Sequence, residues 1–230
     1  MPNQSLRPFI YRQRDLSDPI ELNANHMPEF SPLSGSELPY EPMKWNGNKS
    51  VKQTHNCYQY AIGKIKPSLE NKPQPGYGAQ YPAVSNTENY TCKEFLKRLK
   101  KDNPGLYTVK FGKPCKRGYH KAFMAIAPDP INYDYHFWRQ DANGYWSHKP
   151  GRTDVTNVDA SGKQIRNPLL ADRKYPVFDY KKPCFFFCVN PNLSISASRS
   201  LSGGAKHKAR HTSRSKSRSK GAMKGLKSFV

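Results

Sequence analysis

The sequence predicts an α+β fold, and two observations support this. Segments with helical periodicity come first along the chain, and segments rich in aromatic and β-branched residues follow them. Changes in composition then divide the chain into an extended or partly disordered arm (1–50), an α+β domain (51–190) and a disordered basic tail (191–230). The central part is long enough to bury a core of its own.

Two helices are predicted. The first runs from about Thr54 to Ile65 and ends because Lys66-Pro67 cannot continue it. The second begins at a capping box, Thr91-Cys-Lys-Glu94, and continues to about Lys101 before Asn103-Pro-Gly. Between them, 71–82 contains three prolines and two glycines, which predicts an ordered loop. Its tyrosines, Tyr77 and Tyr81, are candidates for the wall of a cleft, as is Trp138.

The second half of the chain predicts strands, because short apolar runs rich in β-branched and aromatic residues alternate with turn residues. The predicted strands are Tyr119–Ala127, Tyr135–Gln140, Tyr145–His148, Val177–Tyr180 and Cys184–Val189.

The hairpin formed by the second and third strands allows two registers. A two-residue Asn143-Gly144 turn places His136 and His148 on opposite faces of the sheet. A three-residue loop with Gly144 in the left-handed conformation instead places His148 opposite Trp138. The two histidines then share a face as diagonal neighbours, close enough for a hydrogen bond between imidazoles.

The charge is positive and unevenly distributed. The net charge is +21, and 199–230 carries +10 of it, with no Asp or Glu. A segment of this composition predicts non-specific binding of nucleic acid or another polyanion. An anionic membrane surface would attract it too, and a solvated end without a specific partner is the alternative.

Five cysteines, an odd and widely spaced set, argue against a disulfide framework. No run is long enough to cross a bilayer, and the N-terminus has no apolar signal segment. We therefore expect a soluble protein of a reducing, intracellular compartment.

Cys184 and Cys188 are not spaced like the tight cysteine pair of a zinc site, and the sequence implies no metal or cofactor.

One constellation suggests chemistry. Cys57 lies at a predicted helix start, where unpaired N–H groups and an imidazolium lower the pKa of a thiol. His136 and His148 follow on the hairpin, 12 residues apart. Alternatives remain open: His120 could replace His136 as base, and Asp134, Asn157 or Asp159 could orient it. Cys57 and His136 could also be ordinary core residues.

These residues resemble the NlpC-type branch of the papain-like cysteine hydrolases. The resemblance covers about Lys52 to His148, and the block from Trp138 to Gly151 is similar to uncharacterised bacterial and large-DNA-virus proteins of this type. It implies a nucleophile helix packed on an antiparallel sheet, with Cys57 as nucleophile, His136 as base and His148 as the residue that orients it.

The function this resemblance implies is a cysteine peptidase or amidase that cleaves a peptide or peptidoglycan-type amide bond. A different class is the alternative: a non-catalytic basic structural or packaging protein, virion-associated in one version, that keeps a papain-like scaffold without turnover and binds nucleic acid through its tail. A lipid acyltransferase is the third hypothesis.

Overall fold

The structure, a computed structural model, describes residues 28–66, 72–84, 87–129 and 131–195. It confirms the α+β class. Five strands form one antiparallel sheet in the order β1-β5-β2-β3-β4. The helices are α1 Pro42–Asn46, α2 Lys49–Thr54, α3 Cys57–Ala61 and α4 Cys92–Asp102, with a 3-10 turn at Thr87–Asn89. The strands are β1 Tyr107–Val109, β2 His120–Ala127, β3 Asp134–Gln140, β4 Trp146–His148 and β5 Lys182–Val189.

The predicted arm and tail lie largely outside these residues. Of the arm, 1–27 is not described, and 28–50 contains α1 and the start of α2. Of the tail, 196–230 is not described. Within the described part of the chain, no helix is both long enough and apolar enough to cross a membrane.

The first predicted helix is two helices with a break between them. His55 and Asn56 are extended, and the Asn56 side chain caps α3 by accepting a hydrogen bond from the Gln59 N–H at 3.2 Å. Asn favours such cap positions over helix interiors because its side chain competes for backbone groups. The continuous helix predicted over 54–65 is therefore wrong. Cys57 nevertheless lies at the start of a helix, because α3 begins at this residue.

The helix α3 also ends earlier than predicted, in a Schellman motif. Gly63 has a φ of +70°, and its N–H donates to the Tyr60 carbonyl at 3.0 Å. The Lys64 N–H donates to the Gln59 carbonyl at 3.0 Å. These two bonds satisfy carbonyls that the helix end leaves free, so the glycine rather than Pro67 ends the helix.

The second predicted helix is confirmed as α4. Thr91 is its cap and accepts a hydrogen bond from the Glu94 N–H at 3.1 Å. The Glu94 carboxylate does not complete the capping box, because it accepts from Arg98 Nε at 2.8 Å instead.

The central strands β2 and β5 are buried on both faces of the sheet. Alternate residues of β2 belong to two separate clusters: Met124 and Ile126 pack with α3 and α4, whereas Phe123 and Ala125 pack on the opposite side. Antiparallel sheets commonly leave one face to water. Here the second face is covered by the largely irregular segment 151–181, which contributes Ile165, Leu169 and Tyr180.

That segment contradicts one prediction. The strand expected at Val177–Tyr180 is absent, and only a single bridge joins Lys174 to Asp179 there. The Val177 side chain is 62% exposed, whereas Tyr180 at the other end of the run is buried, so the run packs on the core without forming a strand. The strands predicted at 119–127, 135–140, 145–148 and 184–189 correspond to β2, β3, β4 and β5.

The hairpin adopts the three-residue loop. Trp138 pairs with His148, the Asp141 N–H donates to the Tyr145 carbonyl at 2.8 Å, and Gly144 has a φ of +87°. His136 and His148 consequently lie on one face, as the bulged register predicted.

Four of the five cysteines form disulfides, so the expectation of no disulfide framework is wrong. Cys92 of α4 is bonded to Cys184, and Cys115 is bonded to Cys188, which leaves Cys57 as the free thiol. Both bonds hold β5, one to a helix and one to the loop before β2. Cysteines far apart in sequence give no pairing signal until the sheet brings them together. Because four cysteines are paired, they no longer support the reducing, intracellular compartment inferred from them.

We expect one thiol to titrate in denaturant without reductant and five after reduction. We also expect the double variant Cys92→Ala/Cys184→Ala to lose about 2–5 kcal/mol of unfolding free energy, because the bond closes a long loop in the unfolded chain. Denaturant unfolding measures this loss, and Cys57→Ala, which removes a cysteine but no bond, is the control. Five thiols before reduction would contradict the pairing.

Candidate functional site

The candidate site is a cleft of about 470 Å³ at the end of β3 that β4 does not cover. Cys57 and His136 both line it. The other lining residues are Asn56, Lys72, Gln74, Tyr90, Asp134, Tyr135, Pro150, Gly151, Phe178 and Tyr180. The cleft therefore brings together two of the three predicted site residues.

Cys57 is the first residue of α3 and is only 5% exposed. Its thiol donates a weak hydrogen bond to the Tyr135 carbonyl, with a sulfur-to-oxygen distance of 4.0 Å. Burial, and next the negative charge of Asp134, raise the thiol pKa to about 12. At neutral pH the thiol is protonated, whereas a nucleophilic cysteine requires a lowered pKa.

The two histidines form a hydrogen-bonded pair. His136 Nε2 and His148 Nδ1 are 2.8 Å apart, and His148 Nε2 lies 3.1 Å from the Val158 carbonyl. A carbonyl only accepts, so His148 Nε2 carries the proton and His148 Nδ1 accepts from His136 Nε2. These two hydrogen bonds assign the tautomers of both rings and leave His136 Nδ1 as an acceptor.

Burial keeps both rings neutral. It lowers the pKa of His148 to about 4, and it lowers the pKa of His136 well below its ordinary value, with a contribution from the charge of His148. Neither ring supplies the imidazolium that would stabilise a thiolate. The electrostatics of the site are thus opposite to those of an activated cysteine.

The sheet also separates the thiol from the histidines. α3 packs on the face that carries Tyr135 and Phe137, where its Tyr60 hydroxyl lies 2.5 Å from the Ser147 hydroxyl. His136 alternates with these residues and points to the opposite face, against Trp138 with ring centroids 4.6 Å apart. Cys57 and His136 reach the cleft from different faces, at the open edge of β3.

The alternative base and orienting residues have other roles. His120 is fully buried, and its Nε2 bonds the Ala61 carbonyl at 2.7 Å, away from the cleft. Asp134 lines the cleft and accepts from the Tyr180 hydroxyl at 2.7 Å. Asp159 accepts backbone N–H bonds within its own turn, and Asn157 bonds Ile165 through its main-chain carbonyl.

The cleft walls differ from those expected. Trp138 is completely buried, and Tyr81 lies beneath Lys97 and Arg98. Tyr90, Phe178 and Tyr180 line the cleft instead. Two of them, Phe178 and Tyr180, come from the irregular segment 151–181, where the sequence predicted a strand and gave no sign of a cleft wall.

Lys149 was not among the site residues predicted from the sequence. Its buried ammonium donates to the carbonyls of Lys52, Gly151 and Thr153 at 2.8–3.0 Å. It thereby fixes the turn that forms one wall of the cleft. A lysine inside a strand-to-turn junction resembles an exposed residue in sequence, so only the fold reveals this role.

A second cavity of about 240 Å³ lies beside the first and is lined mainly by apolar side chains, among them Tyr175, Pro176 and Val177, with His136 and His148. No group of three or more His, Cys, Asp or Glu able to hold a metal ion occurs in 28–66, 72–84, 87–129 or 131–195.

Fold and site together define an α+β protein with two disulfides, a protonated buried thiol and a neutral histidine pair. The chain is 34% identical to insoluble matrix shell protein 1 of Ruditapes philippinarum over 134 residues. The matched region is 58% of this chain and 80% of that relative. The chain therefore belongs to the family of insoluble matrix shell protein 1. No family model matches the chain, and no solved structure does.

This relationship overturns the expected enzyme. The relative's name describes a protein of an insoluble shell matrix, so the peptidase or amidase function, its peptide or peptidoglycan substrate and the acyltransferase alternative are wrong, as is the virion assignment. The catalytic roles of Cys57, His136 and His148 stay untested predictions and form no part of the function proposed below.

We expect alkylation of Cys57 in the native protein to be slow at pH 7, because a thiol of pKa about 12 exposes almost no thiolate. Mass spectrometry after iodoacetamide treatment measures the rate, with the denatured protein as the positive control. His136→Ala should leave the rate low. Rapid labelling below pH 7 that collapses in this variant would contradict the assigned protonation states.

We expect acid to destabilise the protein through the histidine pair. The folded pKa of His148, about 4, lies below its ordinary 6.5, so the unfolded state binds the proton first and stability is lost as pH falls from 6.5 to 4. This amounts to about 3 kcal/mol at pH 4. Denaturant unfolding of the wild type and of His148→Asn at several pH values measures it. An equal pH dependence in both would refute it.

Proposed function

We propose that this chain is a non-catalytic structural component of an insoluble matrix, of the kind that the relative's name describes. The observation that carries the proposal is the 34% identity, which extends over 80% of the relative. A match of this extent includes most of that protein rather than one shared motif.

The scaffold of the proposed matrix protein is papain-like, of the NlpC type, and works without turnover. In support, a cysteine begins a short helix that packs on an antiparallel sheet, and two histidines follow on a hairpin. The thiol is held protonated and the histidines are held neutral. The same arrangement then serves packing, since neutral side chains are far less costly to bury than charged ones.

The disulfides support a location in an oxidising environment. Bonds such as Cys92–Cys184 and Cys115–Cys188 persist in secreted and extracellular proteins and are rare in reducing compartments. An extracellular matrix is such an environment, and covalent bonds suit a protein that must persist without turnover.

The partner of the tail is a polyanion of the matrix. Residues 199–230, which lie outside the described part of the structure, carry ten Lys or Arg among Ser, Thr and Gly and no acidic residue. Such a segment binds closely spaced negative charges by counterion release, without sequence specificity. The proposed partner of the tail is therefore an acidic matrix polymer rather than nucleic acid.

We expect the full chain to bind heparin, a convenient polyanion, with strong salt dependence. Changing the ten tail Lys and Arg residues to Gln should lower the eluting salt concentration and reduce the slope of log Kd against log salt, because fewer counterions are released. Elution from immobilised heparin and fluorescence titration measure the two quantities.

Cys57→Ser is the control for a non-catalytic role and should bind like the wild type. A tail variant that elutes unchanged would contradict the role of the tail. A Cys57→Ser variant that fails to bind while remaining folded would contradict a structural role that is independent of the thiol.

A further inference from the structure

The segment Lys110–Arg117, which we call the basic loop, connects β1 to β2 and presents four exposed cations: Lys110, Lys113, Lys116 and Arg117. No Asp or Glu occurs in the sequence between Asp102 and Asp129. None of the four cations forms an ion pair with a described residue; the Lys116 ammonium lies 5.2 Å from the centre of the Tyr107 ring. The loop is thus a patch of uncompensated positive charge.

The basic loop is anchored at two points. Cys115, within it, is bonded to Cys188 of the buried strand β5. The ammonium of Lys121, itself fully buried, donates to the carbonyls of Phe111 at 2.9 Å and Lys113 at 2.6 Å. The four cations are therefore displayed on a fixed frame, which reduces the entropy lost when they bind a partner.

The carboxylate of Glu37, near the basic loop, is already satisfied. Glu37 lies in the segment that packs beside the loop, where Ser36 Oγ accepts from the Gly118 N–H at 2.8 Å. Its carboxylate accepts from the N–H groups of Ser34, Gly35 and Ser36 at 2.7–3.2 Å. Its charge is used within its own turn, which leaves the cations of the basic loop available.

Much of the backbone of the loop is also satisfied. The Lys113 N–H donates to the Lys110 carbonyl at 3.1 Å, and the Lys116 N–H donates to the Tyr107 hydroxyl at 2.7 Å. The Lys116 carbonyl accepts from the Tyr119 N–H at 3.0 Å. A peptide that binds as an added strand needs free main-chain groups along its partner. The basic loop mainly offers charged side chains, which favours a ligand recognised by its anionic groups alone.

We propose that the basic loop is a binding site for an anionic polysaccharide, a polymer with regularly spaced sulfate or carboxylate groups. The site belongs to the folded domain and is separate from the tail, so it goes beyond the proposed function, although the matrix as the source of the polymer rests on that function. Closely spaced cations on the folded domain release counterions from such a polymer when they bind it.

The test uses the full-length chain with its ten tail Lys and Arg changed to Gln, which removes the contribution of the tail. In this background two matched variants each lose four exposed charges. One changes Lys110, Lys113, Lys116 and Arg117 to Gln. The other changes Lys93, Lys97, Lys100 and Lys101, on the exposed side of α4, to Gln.

We expect the background protein still to bind heparin, and the loop variant to bind at least about 10-fold more weakly, with the salt slope reduced by about 3 for four released counterions. The α4 variant should bind much like the background. Titration at several salt concentrations measures both, and matching thermal transitions verify that the variants are folded.

Three outcomes would overturn the inference. If neutralising the tail abolishes heparin binding, the folded domain has no such site, while the proposed function of the tail survives. If the loop and α4 variants weaken equally, binding follows overall charge. If poly-aspartate of equal charge number binds the background protein as tightly as heparin, the assignment to a polysaccharide is wrong.

Discussion

Burial of the central strand pair on both faces is the constraint on which the rest of the structure depends. β2 and β5 place apolar side chains on each side of the sheet, so each side must be covered. Helices α3 and α4 cover one face, and the irregular segment 151–181 covers the other. The same division places Cys57 on the helical face and His136 on the opposite one. The properties of the candidate site therefore follow from how the core is closed.

Burial also determines the chemistry of the site. A thiol at a helix start and two adjacent imidazoles have the composition of a reactive centre, yet desolvation favours the neutral form of each. Residue identity and spacing are the same for a reactive site and a packed one. The difference lies in solvation, which depends on the loops around Pro150 and Tyr180 that close over the strand end.

Local signals in the sequence predicted the elements they govern directly. The cap at Thr91 and the apolar run of β2 act within a few residues, and α4 and β2 follow from them. For the histidine hairpin the sequence left two registers open, and the structure adopts the one with the three-residue loop. Features that depend on contacts across the fold were not predictable. The disulfides join residues 92 and 73 positions apart, and the covering segment lacks periodicity. The tautomers of the histidine pair depend on Val158, a main-chain contact that no side-chain pattern reveals.

The two edges of the sheet have a consequence for how molecules of this chain associate. β1 and β4 have three residues each, against eight in β2 and β5, and β4 is further bridged by Thr156 and Ile165. Short or covered edges resist the strand-by-strand stacking that produces amyloid-like fibres. The cohesion of the proposed matrix would then be that of a polyelectrolyte complex, which concentrated salt loosens without unfolding its protein.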